Sequence, residues 1–250
     1  MKTIFIGDIH GRSIWKDIIR NETPDRVVFV GDYFDSFDKS LTAAVQMYNF
    51  SDIIALKEAG TMEVVMLTGN HDYHYYPGNS QYSGYQWGAA PAINQQLYEN
   101  KHHLQMCYQL DDIICTHAGV GYDWLVNQNK YEENGETTIA DFINDLYENK
   151  PHLFEFYGRD PYGDSKTQTP IWIRPSSLMV GNRDTFLKEK HIQIVGHTGV
   201  TTIDMGKATG GRYFFIDALD EMQYLIYENK TFSKGSLWNP IEHLKNKQDI

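Results

Sequence analysis

Five polar motifs, each placed at the end of an apolar segment, carry the residue types of this 250-residue chain that could do chemistry. They are Gly7-Asp8-Ile9-His10-Gly11, Gly31-Asp32, Gly69-Asn70-His71-Asp72, His117 and Gly196-His197. Their side chains offer carboxylate, amide and imidazole groups and no thiolate, a set that suits manganese, iron, zinc or a similar divalent metal. Any one motif alone is more often a turn or a core histidine, so it is their conjunction in this order that predicts a metal site.

The first three motifs follow segments that favour parallel strands. These almost continuously apolar segments span residues 2–6, 26–30 and 62–67, as expected for strands covered on both faces. Helical spacing at residues 13–20 and 42–59 separates them, which predicts a β-α-β-α-β order with right-handed crossovers. Because α/β sheets place their sites at the carboxyl ends of parallel strands, the polar residues after these segments are expected to face one cleft.

The second half favours a mostly antiparallel, hairpin-like arrangement. Strand-like segments lie at residues 103–109, 112–116, 192–195, 212–216 and 222–227. Helical spacing is found at residues 122–129 and 138–149. His117 and His197 each follow a strand-like segment and are therefore expected at the same cleft. The polar tail from residue 233 to 250 is expected to be peripheral.

Composition narrows the class of protein. A content of 41% hydrophobic and 22% charged residues is ordinary for a globular protein, and the length fits a single domain over residues 1–250. No run approaches the roughly 18 apolar residues of a membrane helix, and the start turns polar too early for a secretory segment, so a cytoplasmic location without a membrane partner is expected. The net charge of −11 argues against binding a nucleic-acid polymer. Cys107 and Cys115 lack zinc-site spacing and are expected to be reduced core residues.

The ordered motifs resemble the signature of the calcineurin-like metallophosphoesterases. The matching segments are Gly7-Asp8-Ile9-His10-Gly11, Gly31-Asp32-Tyr33-Phe34-Asp35, Gly69-Asn70-His71-Asp72, Thr116-His117-Ala118-Gly119 and Val195-Gly196-His197-Thr198. This resemblance implies an α/β fold built as a β-sandwich of two mixed sheets flanked by helices. It also implies two divalent metal ions as cofactors, with manganese expected and iron, zinc or magnesium as alternatives.

By position, the resemblance implies that Asp8 and His10 bind the first metal and that Asp32 bridges both metals. The second metal would be completed by Asn70, His117 and His197. In the wider superfamily a second histidine often stands two residues after the last ligand, but this chain has Gly199 there. Its absence is typical of the phosphoprotein-phosphatase branch, which includes bacterial and phage enzymes and the symmetrical dinucleoside-tetraphosphatases.

The same branch supplies candidates for proton transfer and phosphate binding. Its pattern Gly-Asp-x-x-Asp-Arg implies that Asp35 orients His71 as the catalytic acid, but the arginine that follows is replaced by Ser36. Residues 171–175 resemble the branch's Trp-x-Arg segment, so Arg174 is expected to bind the substrate phosphate. Arg12 is the candidate to fill the space left by Ser36.

The reaction predicted is the hydrolysis of a phosphoester. Two metals would lower the pKa of a bridging water, whose hydroxide attacks phosphorus while His71 protonates the leaving oxygen. The leading hypothesis is a serine/threonine or dual-specificity protein phosphatase whose partner is a phosphoprotein, phosphopeptide or small phosphoester. One alternative is a hydrolase of nucleotides or dinucleoside polyphosphates. Another is a binding module that holds metals but catalyses weakly, which the loss of the arginine at position 36 leaves open.

Two insertions could confer substrate choice. The first, residues 73–103, is rich in aromatic residues that could equally form a substrate-stacking wall or pack against the domain. Its histidines, His74 among them, are expected at the surface. The second insertion, residues 121–170, carries charged residues that are expected to be solvated.

Overall fold

The computed structural model describes residues 1–157 and 164–237, and ten strands are found in these residues. They are β1 (Thr3–Ile6), β2 (Arg26–Phe29), β3 (Glu63–Leu67), β4 (Leu104–Gln105), β5 (Cys107–Leu110), β6 (Ile113–Thr116), β7 (Ile192–Val195), β8 (Tyr213–Phe215), β9 (Gln223–Glu228) and β10 (Thr231–Ser236). A six-stranded sheet has the order β10-β9-β1-β2-β3-β4, with β1 to β4 parallel and β9 and β10 added antiparallel. The expected β-α-β-α-β opening is therefore confirmed.

The second sheet has four strands in the order β5-β6-β7-β8. Strands β5 and β6 form the expected antiparallel hairpin, but β6, β7 and β8 run parallel to one another. The expectation of a hairpin-like second half is thus wrong for the segments at 212–216 and 222–227, since β8 and β9 lie in different sheets. A 3₁₀ turn (Leu219–Glu221) and the left-handed residue Met222, with φ of 55°, redirect the chain between them.

Helices flank the two sheets, and together these elements confirm the predicted α/β fold with two mixed sheets. The α-helices are α1 (Trp15–Glu22), α2 (Ala43–Glu58), α3 (Asn70–Tyr73), α4 (Ala90–Glu99), α5 (Ile139–Asn149), α6 (Pro175–Gly181) and α7 (Phe186–Lys190). The segment Asp123–Gln128, expected to be helical, is a π-helix, and 3₁₀ turns lie at Lys101–His103 and Pro151–Phe154. Within the described ranges, none of the helices combines the length and apolarity that crossing a membrane requires.

Alternation along the central strands explains why their sequences are continuously apolar. On β1, Ile4 and Ile6 pack against α1, α2 and α4, whereas Phe5 faces the second sheet. The core between the sheets includes Phe5, Val28, Val65, Ile194 and Phe214. Both faces of the first sheet are therefore buried, which fixes the ends of β1, β2 and β3 relative to one another.

The register of β5 and β6 accounts for the two cysteines. Cys107 lies opposite Thr116 and Cys115 opposite Tyr108, so the two thiols point to opposite faces of the sheet. Both side chains are buried in separate apolar clusters and are free thiols, as predicted. Residues 233–236 of the polar tail belong to β10, the outermost strand of the first sheet, while residues 238–250 lie outside the described part of the chain.

Candidate metal centre

A cleft opens at the carboxyl ends of β1, β2, β3 and β7, and the loop after β8 forms one of its walls. Its volume is about 310 Å³. It is lined by Asp8, His10, Arg12, Asp32, Phe37, Asn70, His71, Ser83, Trp172, Arg174, His197, Asp217 and Asp220. His117, which follows β6, lies behind Asn70, so the structure brings all six predicted metal ligands together.

Close backbone packing around the cleft requires glycine at two motif positions. A Cβ on Gly196 would lie 2.1 Å from Oδ1 of Asp8, and one on Gly69 would lie 2.1 Å from Oδ1 of Asp32. Each of these glycines lets a neighbouring loop approach a carboxylate that any side chain would displace. The glycines of the Gly-His and Gly-Asn pairs therefore leave room for carboxylates that belong to other loops.

The first group of donors consists of Asp8, His10 and Asp32, whose ligand atoms all lie within 4.8 Å of one another. Both carboxylate oxygens of Asp8 accept from the backbone N–H of His197, at 3.0 and 3.1 Å. Nδ1 of His10 donates to the carbonyl oxygen of Phe34 at 2.5 Å, which leaves Nε2 as the lone-pair nitrogen. That nitrogen lies 3.7 Å from Oδ2 of Asp32.

The second group is centred on Asn70. Its Oδ1 lies 2.9 Å from Nε2 of His117 and 2.8 Å from Nδ1 of His197. Nε2 of His117 is also 3.4 Å from Oδ2 of Asp32. Since that same oxygen also faces His10, Asp32 lies between the two groups, as the prediction that it bridges two metals requires.

The histidine tautomers are set by backbone carbonyls, as is usual for metal-binding imidazoles. Nδ1 of His117 donates to Val30 at 2.8 Å, and Nε2 of His197 donates to Trp172 at 3.1 Å. A neutral imidazole whose ring proton is engaged in such a hydrogen bond presents a bare lone pair at its other nitrogen. For His117 that lone pair faces the oxygens of Asn70 and Asp32, an arrangement that a cation between them would make favourable.

Electrostatics support the fit of a divalent cation. Burial lowers the pKa of His117, but the carboxylates of Asp32 and Asp8 outweigh it and raise this pKa to about 10. Burial and the charge of Asp217 raise the pKa of Asp8 well above its ordinary value. Without a metal, the cleft therefore attracts a proton where a cation would sit, and its carboxylates repel one another. The donor set and its charge fit two divalent metal ions.

One carboxylate of the cleft was not assigned from the sequence. Asp217, two residues after the end of β8, lines the cleft, and burial together with Asp32 raises its pKa to about 6. Its Oδ2 lies 3.6 Å from the position that a Cβ on Gly199 would occupy, so it fills space beside the missing second histidine. The available signal was that Asp217 ends an apolar strand, as Asp8 and Asp32 do.

Asp72 is a fully buried carboxylate that holds two loops of the site together. Its Oδ2 accepts from the backbone N–H groups of Asp32 at 2.8 Å and Gly69 at 2.9 Å. Its Oδ1 accepts from the N–H of Tyr33 at 2.8 Å. Asp72 thus both caps α3 and fixes the backbone of the predicted bridging ligand.

The predicted acid pair is also present. Nδ1 of His71 lies 2.9 Å from Oδ2 of Asp35, and the backbone N–H of His71 donates to Oδ1 of Asp32 at 2.9 Å. Burial lowers the pKa of His71, but Asp32 and Asp35 outweigh this and raise it. Burial raises the pKa of Asp35, but its contacts with the imidazoles of His71 and His74 outweigh this and lower it. The pair therefore favours an ionised carboxylate beside an imidazolium that can give up a proton.

Both candidate phosphate-binding arginines line the cleft. Nη1 of Arg174 donates to the carbonyl oxygen of His197 at 3.1 Å and to the hydroxyl of Thr198 at 3.0 Å. Arg12 forms an ion pair with Asp220, whose Oδ1 lies 2.6 Å from Nη2. The guanidinium of Arg174 is thus fixed beside a predicted metal ligand, whereas the guanidinium of Arg12 already pairs with the carboxylate of Asp220.

The aromatic insertion contributes mainly to packing. Tyr73 and Tyr75 are buried, and Ser83 is the residue of this insertion that reaches the cleft. The expectation that His74 lies at the surface is wrong, because the end of α3 turns it inward and leaves it 1% exposed. Phe37, which the sequence reasoning did not single out, lines the cleft and is 74% exposed.

Comparison with known proteins agrees with this geometry. A family model described as calcineurin-like phosphoesterase matches residues 1–201. No curated protein matches the chain.

Among solved structures, a mutant of a cold-active protein tyrosine phosphatase is 15% identical with a TM-score of 0.67, covering 94% of this chain and 77% of its own. Another structure of a cold-active protein tyrosine phosphatase is 15% identical with a TM-score of 0.65, covering 94% of this chain and 76% of its own. A putative diadenosine tetraphosphatase is 16% identical, covering 95% and 94%, but its TM-score of 0.49 is too low to carry weight. At these identities the two phosphatase structures show a shared fold alone.

Proposed function

Because the chain belongs to the calcineurin-like phosphoesterase family, we propose that it hydrolyses phosphomonoesters of proteins with two divalent metals, manganese being the expected ion. The family is one of metal-dependent phosphoesterases, and the proposed ligands are Asp8, His10, Asp32, Asn70, His117 and His197. One observation supports the assignment above all others. A cleft holding these donors also contains the His71–Asp35 pair and Arg174, so groups for binding phosphate and for protonating a leaving oxygen lie beside the metal donors.

The residues of the chain have separable tasks in this mechanism. When bound, a pair of divalent ions supplies Lewis acidity and lowers the pKa of water. The guanidinium of Arg174 binds the phosphate and offsets charge on its oxygens, where phosphoryl transfer needs stabilisation. His71 holds a proton on its ring and gives it to the leaving oxygen, while Asp35 keeps the ring oriented.

The position of Phe37 favours a protein substrate whose leaving group is aromatic. Its ring stands edge-on to the ring of His71, with centroids 6.3 Å apart, and most of its surface is exposed. A leaving group that accepts a proton from His71 would pass this ring, which favours phosphotyrosine and hence dual specificity. The same ring could stack on a nucleobase, so hydrolysis of nucleotides or dinucleoside polyphosphates is the second candidate function.

A substrate panel distinguishes the two candidates. Manganese-loaded protein would be assayed on phosphotyrosine and phosphoserine peptides, mononucleotides and dinucleoside polyphosphates, and kcat/KM compared. We expect phosphopeptides to be preferred, with phosphotyrosine ahead of phosphoserine. Faster turnover of nucleotides or dinucleoside polyphosphates would overturn the protein-phosphatase proposal in favour of the second candidate.

The acid role of His71 has its own test. His71→Asn should keep both metals but lose roughly 10²–10⁴-fold in kcat for phenyl phosphate, since a general acid contributes about that much. The loss should be far smaller for p-nitrophenyl phosphate, whose leaving group needs no proton. His102→Asn, at an exposed histidine, is the matched control. Equal losses on both substrates would exclude the acid role.

A further inference from the structure

The carboxylate of Asp35 accepts contacts from four side chains, only one of which belongs to the predicted acid pair. Oδ2 lies 2.9 Å from Nδ1 of His71 and 2.6 Å from Nε2 of His74. Oδ1 accepts from the hydroxyl of Tyr75 at 2.5 Å and from Nε2 of Gln86 at 3.0 Å. Three of these contacts are hydrogen bonds and the fourth is the close approach of the His74 ring, so each oxygen of Asp35 is in contact with two side chains. Since Asp35 is 1% exposed, water does not compete for them.

The second imidazole lies with its protonated nitrogen against Asp35. The backbone N–H of Tyr82 approaches Nδ1 of His74 at 3.4 Å, so Nδ1 is the acceptor nitrogen and the ring proton is on Nε2. Nε2 lies 2.6 Å from the oxygen of Asp35 that also contacts His71, although its N–H is not aligned with that oxygen. The rings of His74 and His71 stand edge-on with centroids 5.5 Å apart, so the two imidazoles share one oxygen without stacking.

Residues 82–86, here called the strap, lie directly over the acid pair. Gly84 has φ of +89°, and a Cβ there would lie 3.1 Å from Cβ of Asp35 and 3.3 Å from Nδ1 of His71. The backbone of the strap is therefore in contact with both members of the pair, and glycine is required for this approach.

Both ends of the strap are anchored. At one end, the hydroxyl of Tyr82 donates to Glu155 at 3.1 Å, and its ring packs on Trp172 with centroids 4.5 Å apart. At the other end, the ring of Tyr85 stacks on that of Tyr75 at 4.7 Å. The aromatic insertion thus closes on Asp35 as a rigid frame.

We propose that His74, together with Tyr75 and the strap, is a positioning residue that fixes the Asp35 carboxylate and through it the ring of His71. The proposal rests on the proposed acid role of His71. A carboxylate held at one oxygen only could rotate about its χ2 bond, and the His71 ring would follow it. Four contacts remove that freedom, so the proton of His71 is presented to the leaving oxygen in one direction.

The test compares His74→Leu with His74→Asn, each as metal-loaded protein. His74→Leu should lower kcat for phenyl phosphate about tenfold or more, because orientation supplies part of the general-acid contribution, while KM stays unchanged. The same variant should lose little on p-nitrophenyl phosphate. His74→Asn should recover part of the loss, since its amide N–H can donate to Asp35. Metal stoichiometry, measured by elemental analysis, should equal that of the wild type in both.

Tyr75→Phe provides a second variant that keeps the fold should His74→Leu fail to fold, and its matched control is Tyr73→Phe. Tyr73 is also buried, but its hydroxyl donates to the carbonyl oxygen of Pro151 at 2.8 Å, away from Asp35. Both variants lose one buried hydroxyl, and only Tyr75→Phe should lower kcat on phenyl phosphate.

Three outcomes would overturn the proposal. These are equal losses on both phosphates, no recovery in His74→Asn, or a kcat loss in Tyr73→Phe as large as in Tyr75→Phe. The acid role of His71 has a separate refutation, which is that His71→Asn loses as much kcat on p-nitrophenyl phosphate as on phenyl phosphate. If His71→Asn shows that dependence and His74→Leu and Tyr75→Phe do not, only the positioning role is refuted.

Discussion

The substitution Gly196→Ala tests whether close backbone packing sets the position of a metal ligand. Gly196 precedes His197, and its backbone lies against the carboxylate of Asp8. An added Cβ would lie 2.1 Å from Oδ1 of Asp8 and 2.8 Å from Cγ2 of Val30. Its φ lies outside the left-handed range, so alanine meets only a steric obstacle there.

The expected magnitude follows from these distances. To restore an ordinary contact the carboxylate must move by about 1 Å. A displacement of that size at a functional site can lower the catalytic rate roughly 10²-fold. The movement would also lengthen the hydrogen bonds from the backbone N–H of His197, now 3.0 and 3.1 Å. Overpacking of this kind destabilises a protein by about 1–3 kcal/mol, or roughly 2–12 °C in Tm for a chain of this size.

Isothermal titration of chelated protein with manganese measures the effect on metal binding directly. We expect two binding events in the wild type and, in Gly196→Ala, a loss of roughly ten- to hundredfold in affinity at one of them. Gly88→Ala is the matched control, because a Cβ at Gly88 meets no atom within 4 Å. If Gly196→Ala lowers Tm but binds both metals as tightly as Gly88→Ala, Asp8 is not the ligand that the packing implies.

Two further predictions concern charge in the cleft. The pKa of His117 is raised to about 10, so the native metal-free state binds this proton more tightly than the unfolded chain does. The stability that the proton contributes is complete below pH 6.5, the ordinary pKa of histidine, and is lost as the pH rises through 10. Burial and Asp217 also raise the pKa of Asp8, and this changes stability with pH in the same direction. We therefore expect the Tm measured in EDTA to fall with rising pH more steeply than the Tm measured in manganese. Equal slopes under the two conditions would contradict this. Arg174→Ala should lower kcat/KM for p-nitrophenyl phosphate by roughly 10²-fold, as loss of a donor to developing charge does. Arg12→Ala should cost less because Asp220 already neutralises that guanidinium, and the reverse order would assign the phosphate to Arg12.

Local sequence was sufficient to bring the predicted ligands together. Asp8, Asp32 and Asn70 each follow a strand that is buried on both faces, and parallel strands end at the same edge. His197 could be placed by the same rule, since it lies two residues after the end of β7. Position along a strand is a local property, and a pattern of apolar residues ending in a polar one records it.

Which strand pairs with which is not a local property, and part of the strand pairing of the second half was predicted wrongly. Strand β8 pairs parallel with β7, although β9 is closer along the chain. Because this pairing was not foreseen, Asp217 at the end of β8 was not recognised as a wall of the cleft. The burial of His74 depends on the strap, which folds back onto α3 from residues later in the chain. Contacts of this kind leave no periodic pattern in the sequence.

One short loop explains how the metal donors and the acid pair are kept in register. Asp32 and Asp35 both adopt left-handed backbone, with φ of 51° and 62°, a conformation that costs non-glycine residues energy and is typical of functional sites. Tyr33 and Phe34 between them are fully buried, which anchors the loop in the core. Asp32 therefore faces the metal donors while Asp35 faces His71, and Asp72 holds the backbone of Asp32 and Tyr33 in place. Since both side chains depend on the same loop, displacing it should impair metal binding and proton donation together, whereas a change at His74 should affect proton donation alone.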